Sequence, residues 1–273
     1  MSGDRRLTPA NDRVAHVSLR GQVEGVEFFE GVPAQIRVPV TDLCRAPGGP
    51  RDRQLLLGAA VTVLEDRDGW SFLQEAGGYV GYVASGHLGG GAAPDHRVGT
   101  FATHAYAEED FKSPERVALP FGARLKVLDE RRRFYETDQG FVPKSHLRPL
   151  DRPFEDPVTV AQIHFGVPYL WGGNSTRGID CSGLVSAALG ACGIACPADS
   201  DLQRAALGEA VTDAPRRGDL VFWKGHVAMM VDEAVMLHAN AHHMACRYEP
   251  FEAACLRIEA QGDGPVLVRK RLG

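Results

Sequence analysis

Gly178-Ile179-Asp180-Cys181-Ser182-Gly183-Leu184-Val185-Ser186-Ala187-Ala188-Leu189-Gly190 reads as the entry and body of a buried helix. Residues 182–189 are mostly small or apolar, so protein can cover almost every face. Asp180 suits the N-cap, because its carboxylate can accept from the free amides of the first turn. Cys181 then lies in that turn, where the positive helix end favours a thiolate over a thiol. A cysteine in mid-helix would be inert, whereas one at the start is a candidate nucleophile. The expectation is an ionised sulfur that alkylates well below about pH 8.

A nucleophilic thiol needs a base, and the downstream sequence offers one. Gly218-Asp219-Leu220-Val221-Phe222-Trp223 is a β-type run ending in a Lys224-Gly225 turn. His226–Val231 reads as the returning strand and Ala234–Ala239 as the next one, so a hairpin brings His226 and His238 together. His226 is the candidate base and His238 the group that orients its ring. Asn240, His242 and His243 stand close in sequence and could also supply the orienter. Upstream, Pro157–Phe165 reads as a short helix with proline in its first turn. The aromatic, glycine-rich loop Gly166–Asn174 follows it.

The N-terminal half has a different texture. Leu55–Asp66 matches Leu119–Glu130 at an offset of 64 (119 − 55), and Trp70 falls on Phe134. Gly81-Tyr82-Val83-Ala84-Ser85-Gly86-His87-Leu88 matches Gly140-Phe141-Val142-Pro143-Lys144-Ser145-His146-Leu147 at 59 (140 − 81), so the second copy is five residues shorter in between. Loss within a hairpin tip is what duplication of a small β unit gives. Short strands with turns such as Asp68-Gly69 suggest small barrels. The expected organisation is a segment over 1–37 packing on the first barrel as an extra strand, barrels over 38–92 and 98–150, and an α+β domain over 152–273.

The whole composition sets bounds. The chain has 273 residues, 44% apolar and 24% charged, enough to bury a sizeable core. A net charge of −5 gives no global attraction to nucleic acid or anionic membrane, and neither is expected as a partner. No apolar run reaches membrane-spanning length, and Met1–Arg13 lacks the apolar core of an export signal. The expected location is the cytoplasm, and the expected state a monomer with free thiols. Cys192, Cys196 and Cys246 with the nearby histidines do not have the spacing of a common zinc site, so no metal is expected.

Pro168-Tyr169-Leu170-Trp171-Gly172-Gly173, Asp180-Cys181-Ser182-Gly183-Leu184, Arg217-Gly218-Asp219-Leu220-Val221-Phe222, Gly225-His226-Val227-Ala228 and His238-Ala239 together resemble the NlpC family of papain-like cysteine peptidases. The two N-terminal copies resemble bacterial SH3-like domains. The resemblance implies an α+β papain-like cysteine peptidase domain preceded by two small SH3-like β-barrels. It also implies Cys181 as nucleophile, His226 as base, His238 as third polar group, and no cofactor. The implied reaction cuts the γ-D-glutamyl–L-diamino acid bond of murein peptides, in short released fragments with a free N-terminal L-alanine, as in cell-wall recycling. Tyr169, Asp180 and Ser182 would line the pocket, with Tyr79 and Tyr82 of the first barrel as a wall. Ala59 stands where related barrels often carry a glutamate for the substrate amine. The other readings are an exported hydrolase of intact peptidoglycan, amidase or acyl-transfer chemistry at the same Cys–His pair, and a wall-peptide-binding SH3-like protein with a vestigial site.

Overall fold

The computed structural model describes residues 3–273, and the chain forms two compact units, Met1–Leu150 and Asp151–Gly273. In the first unit, strands at 32–36, 40–44, 51–56, 60–67, 70–75, 80–84 and 88–89 form one seven-stranded sheet. Val32–Ile36 pairs antiparallel with Ala60–Arg67, so the first sheet begins ahead of residue 38. The Asp68-Gly69 turn has φ of 52° and 80°, the left-handed pair that matches the twist of a tight hairpin. In the second copy the corresponding strands are Val127–Glu130 and Phe134–Thr137, with Arg131–Arg133 at the tip.

Two features support duplication. The first copy joins Trp70–Glu75 to Val80–Ala84 through a four-residue connection (76–79), and the second joins Phe134–Thr137 to Gly140–Pro143 through two residues (138–139). The shortening therefore lies in a hairpin. His87 Nδ1 lies 2.8 Å from Thr41 Oγ1, and His146 Nδ1 lies 2.7 Å from Thr103 Oγ1. The repeated histidine is thus a strut that ties the end of each copy to an early strand.

The second unit is α+β. Its helices are α1 (Pro157–Gln162), α2 (Cys181–Ala191), α3 (Ser200–Ala206) and α4 (Phe251–Ala260). Its sheet strands are β1 (Glu209–Val211), β2 (Leu220–Trp223), β3 (His226–Met230), β4 (Val235–Asn240), β5 (Ala245–Pro250) and β6 (Val268–Arg271), in the antiparallel order β1-β6-β2-β3-β4-β5. Strands β2–β4 are buried almost throughout, and Val221, Trp223, Ala228, Met230 and Met236 pack on Ala254 and Ile258 of α4. Asp219 is wholly buried just before β2 and accepts from Arg271 of β6 at 2.7 and 2.8 Å, fixing the last strand beside the first buried one. Helix α2 packs against β3 and β4, which carry the two histidines singled out above.

Candidate active site

The start of α2 is built as its sequence suggests. Asp180 is the N-cap: Oδ1 accepts from Gly183 N at 2.7 Å and Ser182 Oγ at 3.0 Å, and Oδ2 accepts from Gly172 N at 2.8 Å. One carboxylate thus caps the helix and draws the aromatic loop onto it. Asp180 N donates back to Gly173 O at 3.1 Å. Both oxygens serve this junction, so structural support is the role the contacts of Asp180 display. Ser182 is buried beside it.

Cys181 is the first residue of α2 and is 7% exposed. The amide of Val227, next to His226, lies beside its sulfur, as does that of Ser182. Cys181 and His226 line one cavity of about 440 Å³ with Tyr169, Trp171, Asn240 and Arg257 among its walls. Trp171 is 70% exposed there, an aromatic edge at the mouth. A further cavity of about 540 Å³, in the first barrel, carries Gln35, Gln74 and Glu75 but, among the described residues, no thiol or imidazole.

Behind the thiol runs a chain of polar contacts. His226 Nε2 lies 2.8 Å from His238 Nδ1, so Nδ1 is the ring nitrogen that His238 does not engage. His238 is fully buried, and its Nε2 lies 3.0 Å from Glu249 Oε2. Arg257 clamps Glu249 with bonds of 2.8 Å to Oε1 and 2.7 Å to Oε2. Burial alone would raise the Glu249 carboxyl, but the bonds from Arg257 and His238 hold it far below the usual carboxylate range. Neither Glu249 nor Arg257 emerged from the sequence. Their spacing matches no local motif; they meet because β5 turns directly into α4.

The expected ionised sulfur is corrected by these surroundings. Burial pushes the Cys181 thiol up to about 12, with the Asp180 charge adding to it and the amides of Val227 and Ser182 opposing it. Burial pushes His226 down to about 3, with His238 and Arg257 contributing. Both directions favour the neutral thiol–imidazole pair, because a helix start supplies only partial charge against the desolvation of two groups. Alkylation of Cys181 by iodoacetamide is therefore expected to be slow at pH 7 and to rise through pH 9. A rate already at its plateau by about pH 7 contradicts this.

Tyr169 shares the cavity, and burial raises its hydroxyl above the ordinary tyrosine range, with Cys181 and Asp180 adding to the effect. The remaining two candidates lie in the N-terminal unit. Tyr79 is buried under Arg53, whose guanidinium is 5.6 Å from the ring centre. Tyr82 packs on Phe72 and its hydroxyl accepts from Asn11 at 3.1 Å.

A thiol at a helix start and a polar relay behind an imidazole on an antiparallel sheet are the arrangement of a candidate Cys–His site. Residues 166–254 match the NlpC/P60 family, and residues 43–88 match the bacterial dipeptidyl-peptidase SH3 domain. The chain thus carries an NlpC/P60 domain behind a bacterial dipeptidyl-peptidase SH3 domain. The γ-D-glutamyl-L-lysine dipeptidyl-peptidase of Bacillus subtilis is 37% identical over 138 residues, 45% of this chain and 47% of that protein. Dipeptidyl-peptidase 6 of Lysinibacillus sphaericus is 37% identical over 87 residues, 32% of each chain. The chain therefore spans 32% and 47% of the length of these relatives. The crystal structure of an NlpC/P60 family protein from Bacillus cereus superposes with a TM-score of 0.73 over 88% of this chain and 99% of that one, at 21% identity, and shows a shared fold.

Proposed function

We propose that this chain is a cysteine endopeptidase that hydrolyses the γ-D-glutamyl–L-diamino acid bond of peptidoglycan-derived peptides. The observation that carries the reading is Cys181 at the start of α2, sharing a cavity with a His226 whose far nitrogen is held by His238. The names of the relatives support the bond and the release of a dipeptide.

The chemistry follows from the neutral pair. As the sulfur attacks the γ-glutamyl carbonyl, Nδ1 of His226 takes the thiol proton, so charge develops only with bond formation. The first amides of a helix lack intrahelical acceptors, so those of Cys181 and Ser182 are available to the oxyanion. His226 then gives its proton to the departing amine. Water, deprotonated by the same ring, releases the acyl group and regenerates the thiol. Tyr169 contacts the substrate from the cavity wall, and the Asp180–Ser182 junction holds the acyl side in place.

The substrates in this reading are short released peptides with a free N-terminal L-alanine, handled by a monomer in the cytoplasm. Incubation with L-Ala-γ-D-Glu-L-Lys and its meso-diaminopimelate counterpart should yield L-Ala-D-Glu by mass spectrometry. A folded sample that leaves both intact overturns the proposal. Cell fractionation, and clearing of purified sacculi, separate this setting from action on intact wall.

A further inference from the structure

The Nε2 atom of His238 has two neighbours that make opposite demands. Asn240 Nδ2 lies 3.0 Å away and, as a donor, asks for a bare nitrogen. Glu249 Oε2, also at 3.0 Å, accepts and asks for a protonated one. The amide cannot simply turn round, because Asn240 Oδ1 accepts from the backbone N–H of His243 at 2.8 Å. The carboxylate is fixed as well, since a guanidinium can only donate and Arg257 grips both oxygens.

We infer that Glu249 and Arg257 are positioning residues that set the tautomers of His238 and His226, and so decide whether Nδ1 of His226 is bare or protonated. An ionised acceptor outranks a neutral amide, so Nε2 of His238 carries the proton. Its Nδ1 is then bare and accepts Nε2–H of His226 at 2.8 Å. Nδ1 of His226 is left bare in the cavity it shares with Cys181, the protonation state a general base requires. One ion pair between β5 and α4 thereby fixes two imidazoles in series.

The Glu249→Met variant tests this at similar side-chain length, because it removes the acceptor on both oxygens that Arg257 grips. Asn240, a donor, is then left as the hydrogen-bond partner of Nε2 of His238. Nε2 of His238 becomes an acceptor. Both rings then change tautomer, and Nδ1 of His226 carries the proton. The charged and titratable groups around the two rings are Glu249 on β5, Arg257 on α4 and His243 after β4, with Asp180 and Tyr169 on the cysteine side.

Long-range ¹⁵N–¹H spectra of histidine-labelled protein read the tautomers without substrate. Wild type should show Nε2–H at both residues, and E249M should show Nδ1–H at both. In the peptidase assay, E249M should lose about a hundredfold or more in kcat, with KM changed less than about threefold. The double variant E249M/R257M removes the unpaired guanidinium as well and should keep the Nδ1–H pattern and the loss in kcat, since the missing acceptor is common to both. Nδ1–H in the wild-type protein overturns the inference whether or not E249M folds. So does kcat of E249M within twofold of wild type, or a double variant that returns to Nε2–H. The kinetic arm rests on the peptidase reading. If wild type cleaves neither peptide, that reading fails, while the spectra still decide the tautomers.

Discussion

Cys181→Ala is expected to reduce hydrolysis of L-Ala-γ-D-Glu-L-Lys by at least about 10⁴-fold while leaving the protein folded. In the proposed reaction the sulfur forms the bond to the acyl group, and among the described residues no other thiol lines the cavity. The helix start, the cap and the His226–His238 contact involve other atoms, so the methyl of alanine leaves the architecture intact. Cys181→Ser should be nearly as inactive, because a neutral imidazole is a poor base for a hydroxyl far less acidic than a thiol. Residual turnover above about 1% of wild type, with the fold confirmed by circular dichroism, would transfer the chemistry to another group.

Gly183→Ala should damage both stability and turnover. A Cβ at Gly183 would overlap the carbonyl oxygen of Gly173, a backbone atom in the loop that Asp180 ties down. Neither side is a flexible tip, so the helix start or the loop must shift. Overpacking of this kind costs about 1–3 kcal/mol. A displacement near 1 Å at the nucleophile is enough to cost about a hundredfold in rate. Gly190→Ala is the internal comparison: the same helix, but nothing within 4 Å of the added methyl. It should be neutral or stabilising by up to about 1 kcal/mol, since alanine restricts the unfolded chain. Urea melts and tripeptide turnover on the pair check this, and equal behaviour of the two variants contradicts the packing argument.

The centre of the site was legible because its residues combine chemistry with local pattern. Asp180 before a run of small residues announces a capped, buried helix, and the hairpin that follows the Lys224-Gly225 turn puts His226 and His238 on neighbouring strands. The duplication was legible through aligned turns and hydrophobic strands. Glu249 and Arg257 were not, because their link exists only after β5 and α4 fold back on the histidines. Sequence alone also misjudged the charge state of the sulfur. A helix start can be read from spacing, but desolvation depends on everything that covers the group. Tyr79 shows a related limit: an aromatic between strand residues reads equally as core or wall, and burial under Arg53 is visible only in three dimensions.

The uphill ionisation of the sulfur bears on how the protein lasts at rest. Peroxide attacks the thiolate, the first step toward sulfenic acid and then irreversible oxyacids. A cysteine that stays protonated until a carbonyl arrives offers little to oxidants in the meantime. The burial that makes Cys181 reluctant at rest therefore also acts as protection against chemical ageing.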